Sequence, residues 1–344
     1  MKISELKLAV IGAGAIGGAT AAFLKRAGWD PYLVCKHADT LAQIHSRGLE
    51  IFGLKGAHTL QLTTVQTVAD LPQDLDIVLH ATKANDCVAA AKDLVPRLHS
   101  TSRVVSLQNG ICEDALGDIL GRDRVIGCVV GWGATHTGPG KIEVTSPGEF
   151  ILGSIDQQVD GHLETVRSML DAVQPARISD NIMGELYSKL MINSCINSLG
   201  AITGVRLGEL MAVGKIRRIF ITIMREALTT ANAMGIQVAP STGGKLDYYR
   251  LLGGSGVLKW IQRHLVFRII GVKYRRVKSS SLQSLERGRP TEIDYLNGYI
   301  CDRANEHGVP TPLNQAVVTM IKAIEAGQRS IGMDNLKDGA FAAV

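Results

Sequence analysis

The sequence predicts two domains, an α/β domain built on a doubly wound, mostly parallel sheet and an all-helical domain that follows it. Over the first half of the chain, apolar segments that suit buried strands alternate with segments that suit helices. A glycine-rich turn joins the first strand to the first helix, and from Asp180 onward the periodicity is almost entirely helical. We expect domains of residues 1–178 and 179–344, because 344 residues exceed one typical core.

The turn after the first strand has the sequence GAGAIG and comprises six residues: Gly12, Ala13, Gly14, Ala15, Ile16 and Gly17. Gly12 permits a tight turn, Gly14 lets the backbone approach a pyrophosphate, and Gly17 lets the helix pack closely on the strand. The unpaired amides of the helix amino terminus then face the phosphates. Because the motif lies between a strand and a helix, it predicts a Rossmann-type dinucleotide site. The alternative is a structural glycine turn in a sheet that binds no nucleotide.

The end of the second strand, residues 31–35, bears on which dinucleotide is bound. NAD sites usually place Asp or Glu there to hold the ribose 2′-hydroxyl, whereas this chain continues with Lys36 and His37. A carboxylate would repel a 2′-phosphate and Lys36 would attract one, so we expect NADP (NADPH) as the cofactor. An ordinary exposed lysine is the alternative, because lysine recognises phosphate with less geometric specificity than arginine.

Further strands are predicted at three apolar runs, residues 76–82, 103–109 and 125–130. Ligands of doubly wound sheets bind at the carboxyl ends of the strands, which places Lys83 and Asn109 at the crevice. A solvated loop lysine explains Lys83 equally well. After Gly131, short alternating runs separated by turn residues predict an antiparallel extension of the sheet.

The amino-acid composition limits the classes of protein to which the chain can belong. The chain is 46% hydrophobic and 20% charged, which is typical of a folded globular protein. We see no secretory signal and no run of about 18 apolar residues, so we expect a cytoplasmic protein without a membrane span. The six cysteines form no CxxC pair and have no histidine at ligand spacing, which predicts reduced thiols, no disulfide framework and no metal site.

The stretch SKLMINSCINSLGAITG, residues 188–204, predicts a helix with a polar stripe. Lys189, Asn193 and Asn197 fall within about 80° of one another at about 100° per residue. The opposite side is apolar and is expected in the core: Met191, Ile192, Cys195, Ile196 and Leu199. An amphipathic surface helix is the plain alternative, although amides are poor helix formers that usually need a reason to lie mid-helix.

The glycine motif and the segments YSKLMINSCINSLGAITG and SSSLQSLERGRPTEIDYLNGYI stand in an order and at a spacing that resembles the ketopantoate reductases (2-dehydropantoate 2-reductases). The resemblance extends over nearly the whole chain. It implies NADPH-dependent reduction of ketopantoate to D-pantoate, a step toward pantothenate and coenzyme A. It also implies a helical domain similar to the carboxyl-terminal domain of 6-phosphogluconate dehydrogenase.

The resemblance assigns roles to the residues of the helical domain. It implies that Lys189 is the catalytic lysine and that Asn193 and Asn197 hold polar groups of the substrate. It matches Ser280 with the serine that binds the substrate carboxylate. It matches Glu292 with the glutamate that contacts substrate and helps orient the lysine. For Glu292, a structural salt bridge to a basic neighbour such as Arg289 is the alternative.

Three residues of the first domain are assigned in the same way. The resemblance places Asn109 at the nicotinamide end of the cleft and Lys83 in a cofactor-side loop. It places Lys36 where the family often has an arginine for the 2′-phosphate. Two departures stand out: Ser281 and Ser284 occupy positions where the family commonly has Met and Asp, so the substrate pocket is expected to differ.

The proton-donor chemistry expected of Lys189 is coherent without the family. Hydride transfer to a ketone builds negative charge on the carbonyl oxygen, and an ammonium group can stabilise that charge and deliver the proton. Arginine could not release the proton. Asn193 and Asn197 can donate hydrogen bonds to substrate oxygens without adding charge.

Residues 240–278 form an apolar and basic segment that looks like an insertion of 15 to 20 residues relative to the family. Nine Lys or Arg, the first of them Lys245, stand against the single Asp247 here, so most of the net charge of +5 is local. Five apolar residues give no clean face on a helical wheel: Trp260, Ile261, Phe267, Ile269 and Ile270. We therefore expect a helical element packed on its own chain or on a partner subunit, as in a homodimer, and no membrane contact.

Two rival functions remain open. A relative of this scaffold could reduce another branched or aromatic 2-keto acid, acting as a D-2-hydroxyacid dehydrogenase. A non-catalytic NADP-binding sensor would need only the glycine loop, so the full polar set of the helical domain argues against it. No groove-reading motif accompanies the basic segment, and we expect a small-molecule substrate and no nucleic acid.

Overall fold

The computed structural model describes residues 6–156, 161–244 and 246–344, so Lys245 lies outside the described residues. The chain forms two compact units, unit 1 (Met1–Ile182) and unit 2 (Met183–Val344). Residue 178, where the sequence places the domain boundary, is the last residue of the final strand of unit 1.

Unit 1 alternates strands with helices. Its strands are β1 (Leu8–Ile11), β2 (Tyr32–Val34), β3 (Leu49–Gly53), β4 (His58–Leu60), β5 (Thr63–Val65), β6 (Leu75–His80), β7 (Leu98–Ser106), β8 (Val125–Val130), β9 (Gly133–Gly138), β10 (Lys141–Ser146), β11 (Phe150–Ser154) and β12 (Ala176–Ile178). Its helices are α1 (Ala15–Arg26), α2 (Ala38–Arg47), α3 (Cys87–Leu94), α4 (Glu113–Leu120) and α5 (Gly161–Asp171).

The main sheet has the strand order β12-β11-β8-β7-β6-β1-β2-β5. From β5 to β8 all neighbours are parallel, which confirms the predicted doubly wound sheet. The chain reverses its winding direction between β1 and β6, so the ligand crevice of such a sheet lies at their carboxyl ends. The predicted antiparallel pairing after Gly131 is present where β11 joins β8.

The hairpin of β9 and β10 lies in a second sheet, with the order β4-β3-β10-β9, and not in the main sheet as expected. This second sheet packs against α1, which is therefore covered on both sides and buried from Gly17 to Leu24. Space is limited there, since a Cβ atom at Gly18 would lie 2.6 Å from Ile142 Cδ1. The run of small residues in α1 thus reflects a helix packed between two sheets.

Unit 2 is helical. Its helices are α6 (Ile182–Thr203), α7 (Leu207–Ala212), α8 (Gly214–Ala233), α9 (Ser241–Gly244), α10 (Tyr248–Leu252), α11 (Val257–Lys273), α12 (Ser280–Glu286), α13 (Asn297–Glu306), α14 (Pro312–Glu325) and α15 (Gly339–Ala342). None of these helices, nor any other helix in the described part of the chain, combines the length and hydropathy that a membrane crossing requires.

A buried polar network ties α6 to its neighbours in unit 2. Ser198 of α6 donates a hydrogen bond to Asn297 Oδ1 at 2.5 Å, and Asn297 Nδ2 donates to Asn314 Oδ1 at 2.9 Å. Both carboxyl oxygens of Glu226, on α8, accept main-chain N–H bonds at 2.9 Å from the first turn of α14. These groups are buried and satisfied, so they fix α6 relative to α8, α13 and α14.

Candidate active site

Gly12 and Gly17 allow the glycine turn to lie directly on the end of β6. Gly12 has φ +110°, and a Cβ atom there would lie 2.7 Å from the carbonyl oxygen of Ala81. A Cβ atom at Gly17 would lie 2.8 Å from Ala81 Cβ. Larger residues at either position would therefore push α1 away from the sheet.

Gly14 behaves differently, because a Cβ atom there would meet no atom within 4 Å among the described residues. Gly14 caps α1 without a side-chain hydrogen bond, and the first turn of α1, from Ala15 and Ile16 onward, contains no acidic residue. The positive end of the helix dipole thus faces open space, with Ala13 preceding it in the turn. This is the geometry that fits the pyrophosphate of a dinucleotide.

Lys36 follows β2, where a ribose-binding residue is expected, and it lies in an ion pair. Lys36 Nζ is 2.6 Å from Asp86 Oδ2, and both side chains are substantially exposed. Asp86 belongs to the short 3-10 turn Ala84–Asp86 that follows β6, and exposed Lys83 immediately precedes that turn. The structure therefore pairs Lys36 with a carboxylate that the sequence analysis did not identify, 50 residues away in the chain.

The loop after β7 holds half-buried Asn109 next to a buried hydrogen-bond network. Gln108 Nε2 donates to Thr82 Oγ1 at 3.2 Å, and the Cys87 thiol donates to Gln108 Oε1 at 3.6 Å. The network links the ends of β6 and β7 with the start of α3. Hydrogen bonds of Gln108 therefore hold in place the loop that carries Asn109, at the carboxyl end of β7.

Two buried titratable residues near this loop were missed by sequence reasoning. Glu113 starts α4 and is 1% exposed; burial raises its pKa to about 7, although the Ser106 hydroxyl and nearby main-chain groups act against the rise. His80 ends β6 and is fully buried, which lowers its pKa to about 4. Among the described residues, neither Glu113 Oε2 nor His80 Nε2 has a hydrogen-bond partner. Both side chains therefore favour the neutral form.

Helix α6 carries the lysine and amides of the predicted stripe, but the helix is not amphipathic. Met191, Cys195 and Leu199 are buried as expected, and Asn197 on the polar side is also only 7% exposed. Lys189 and Asn193 are half-buried, as are Ile192 and Ile196. A helix covered on nearly all sides is a core element, so the surface-helix interpretation is wrong.

The amides of α6 are available to a ligand. Within residues 6–156, 161–244 and 246–344, the structure gives the side chains of Asn193 and Asn197 no hydrogen-bond partner. Buried polar side chains of folded proteins are normally hydrogen-bonded, and Asn197 is buried. A polar ligand would supply the missing partners.

Helix α12 brings Ser280 close to α6. Ser279 caps α12 by accepting a hydrogen bond from the Leu282 amide at 3.0 Å, and Ser280 is the first residue of the helix. The Ser279 hydroxyl lies against Gly200 of α6, where a Cβ atom would be 2.7 Å from Ser279 Oγ. The amino end of α12 therefore rests on α6 about one turn from Asn197, where it can receive a carboxylate.

Glu292 is buried and lies just before the 3-10 turn Ile293–Tyr295. The segment is fixed by Thr291, whose amide and hydroxyl both donate to Glu325 Oε1 at 2.7 Å. Unit 2 thus holds the acidic residue on a segment whose backbone is anchored to α14. Among the described residues, no group of three His, Cys, Asp or Glu side chains could hold a metal ion.

A doubly wound sheet with a glycine turn, joined to a helical unit that carries a lysine and two amides on one helix, defines the class of two-domain pyridine-nucleotide oxidoreductases. Residues 8–157 match the family model described as ketopantoate reductase PanE/ApbA, and residues 181–325 match its carboxyl-terminal model. The chain therefore belongs to the ketopantoate reductase family, which confirms the resemblance seen in the sequence.

Individual relatives agree with this assignment. The chain is 28% identical over 324 residues to a 2-dehydropantoate 2-reductase of Archaeoglobus fulgidus, covering 93% of this chain and 98% of the relative. A PanE/ApbA family ketopantoate reductase from Ralstonia eutropha JMP134 has a TM-score of 0.80 at 28% identity, covering 94% of this chain and 99% of that one. D-Mandelate dehydrogenase in complex with NADH and anilino(oxo)acetate has a TM-score of 0.77 at 24% identity, with 94% and 99% covered, and shares the fold.

Proposed function

We propose that the protein reduces ketopantoate to D-pantoate with NADPH. The observation that carries the proposal is the set of polar groups on α6, in which half-buried Lys189 is followed by Asn193 and Asn197 without protein partners among the described residues. Amides are poorer helix formers than the charged residues that usually line a solvated helix face, so two unpartnered amides in one stripe favour a polar ligand.

Each group has a distinct task in this proposal. Bound NADPH would supply the hydride. Lys189 protonates the carbonyl oxygen as negative charge develops on it, and Glu292 orients the lysine. Asn193 and Asn197 donate hydrogen bonds to substrate oxygens, and Ser280, at the amino end of α12, receives the substrate carboxylate.

Replacement of Lys189 tests the catalytic assignment. We expect Lys189→Ala to lower kcat with ketopantoate by at least about a hundredfold, the usual contribution of a positioned proton donor, while NADPH still binds. Lys215→Ala on α8 removes another half-buried lysine of unit 2 and serves as the control. An unchanged kcat in Lys189→Ala, measured by NADPH oxidation, would remove Lys189 from the mechanism.

The Lys36–Asp86 ion pair supports NADPH over NADH only if Lys36 can exchange Asp86 for the 2′-phosphate. Phosphate carries more charge than a carboxylate, so it competes well for an exposed lysine. We expect Lys36→Ala to lower the ratio of kcat/KM for NADPH over NADH about tenfold, and Asp86→Asn to raise it. Equal ratios in the native protein and in Lys36→Ala would refute the role of Lys36.

A second candidate substrate class is supported by Ser281 and Ser284. Both serines are buried in α12, so their departure from the family pattern changes the packing of the helix that presents Ser280. Comparing turnover of ketopantoate with turnover of phenylglyoxylate and 2-ketoisovalerate would test this second candidate. A preference for either alternative would identify a different 2-keto acid reductase, and tight NADPH binding without any turnover would indicate a sensor.

A further inference from the structure

Helix α11 displays an apolar stripe to solvent. Its members are large aliphatic residues that are between 48% and 83% exposed: Leu258, Ile261, Leu265, Ile269 and Val272. At about 100° per residue they fall within about 80° of one another, so they form one continuous strip along the helix. We call these five residues the α11 stripe. Monomeric proteins rarely expose apolar side chains in such a row.

The opposite side of α11 packs against other helices of unit 2. Phe267 is buried and its ring lies 5.2 Å from that of Phe220, and a Cβ atom at Gly271 would lie 3.0 Å from Met211 Cγ. Arg217 Nε donates to His264 Nδ1 at 3.0 Å. Because these contacts use a different face of α11 from the α11 stripe, the stripe is not required to hold the helix on its own chain.

Solvent exposure reveals the stripe that the helical wheel missed. The five residues considered included buried Phe267 and exposed Trp260, which lie within about 20° of each other, together with exposed Ile269 on the opposite side of α11. Leu258, Leu265 and Val272 complete the exposed strip but were not among the residues considered. The expectation that the segment lacks a clean apolar face is therefore wrong.

The surroundings of the α11 stripe are strongly basic. Arg268 and Lys273 border the stripe on opposite sides, and Arg275 and Arg276 follow the helix. Within the described part of the chain, none of these four cations forms a salt bridge. Asp247, the single acidic residue of the segment, lies 3.6 Å from Arg250.

The positive charge around the α11 stripe favours an anionic partner surface over a second copy of this chain. Pairing the stripe with its copy in a second molecule would bring two clusters of unpaired Lys and Arg together, which costs free energy. An anionic lipid surface instead offers phosphates to the cations and an acyl layer to the aliphatic side chains.

We propose that α11 is a peripheral docking surface for anionic lipid bilayers, in which the α11 stripe enters the headgroup region and the flanking cations contact lipid phosphates. The helix lies on the membrane and does not cross it. The inference does not depend on the substrate of the enzyme, because binding is measured without turnover.

The test is co-sedimentation of the full-length protein with vesicles at low salt. We expect binding to vesicles of phosphatidylcholine and phosphatidylglycerol in equal parts, and little binding to phosphatidylcholine alone. The double variant Leu265→Ser with Ile269→Ser should bind at least about tenfold more weakly, because two half-exposed aliphatic side chains no longer enter the lipid. Arg268→Glu with Lys273→Glu should weaken binding and reduce its dependence on salt.

Leu54→Ser is the matched control, since Leu54 is 61% exposed but lies in unit 1. All of these positions are at the surface, so the variants are expected to fold, which thermal unfolding would verify. Absence of binding to anionic vesicles would overturn the proposal. So would a dimer in sedimentation velocity that the Leu265→Ser and Ile269→Ser variant disperses, because that result would assign the α11 stripe to a second copy of the chain.

Discussion

Buried Glu113 should contribute a pH-dependent part of the stability of unit 1, and Glu113→Gln should remove that part. The pKa of Glu113 rises from 4.5 to about 7 on folding because the carboxyl group is buried at the start of α4. At about 1.4 kcal/mol per tenfold change in an ionisation constant, the difference corresponds to about 3 kcal/mol. This is a large fraction of the stability of a typical domain.

The sign follows from which state holds the proton. The folded state holds the Glu113 proton more tightly, so the stabilisation is fully present below pH 4.5 and is lost as pH rises through about 7. His80 acts in the opposite direction, because burial lowers its pKa from 6.5 to about 4. Its contribution is present above pH 6.5 and declines as pH falls toward about 4. Between these limits the two contributions largely cancel in the native protein.

The assay is urea unfolding followed by tryptophan fluorescence in a Trp260→Phe background, where Trp29 and Trp132 report on unit 1. Glu113→Gln should gain about 3 kcal/mol relative to the native residue between about pH 4 and pH 8. His80 titrates in both proteins, so its effect cancels in the difference. Asp118→Asn, at an exposed position of the same helix, controls for simple loss of a carboxylate. If the free energies of unfolding of the native protein and of Glu113→Gln differed by the same amount at every pH, Glu113 would not be desolvated.

Two further predictions concern the glycine turn and the buried network. Gly12→Ala should destabilise unit 1 by at least about 2 kcal/mol, through its positive φ and the contact with Ala81, whereas Gly14→Ala should fold normally and weaken NADPH binding in a fluorescence titration. Equal loss of stability in both variants would contradict the assigned geometry. Glu226→Gln should lower the free energy of unfolding of unit 2 by about 2–4 kcal/mol, because an amide cannot accept from both main-chain donors of α14. Chemical denaturation would measure this, and a loss below about 1 kcal/mol would show that the α14 donors find other partners.

Local patterns in the sequence account for most of unit 1. The glycine motif and the apolar runs specify β1, α1 and the parallel strands, because each depends on neighbouring residues only. The second sheet was not predicted, since pairing of β3 with β10 joins segments that are distant in the chain. The Lys36–Asp86 ion pair was missed for the same reason.

In unit 2, the candidate site residues could be proposed from the sequence, but the environment of each could not. The spacing of Lys189, Asn193 and Asn197 indicates one face of a helix, yet nothing local in the sequence shows that Asn197 on that face is buried. Burial of Glu113 in unit 1 was equally invisible, because an acidic residue in the first turn of a helix normally lies in water and interacts with the helix dipole. Only the packing of strands and helices around each residue distinguishes these cases.

The position of the lysine and amides on one covered helix has a consequence for engineering. Lys189, Asn193 and Asn197 span about 12 Å along a single rigid helix, so their mutual distances do not change when loops are remodelled. Ser280, in contrast, is borne by the seven-residue α12, which is short enough to be repacked through Ser281 and Ser284. If the proposed function is correct, a library directed at α12, with α6 left intact, should therefore alter which keto acid is accepted while retaining the proposed proton donor.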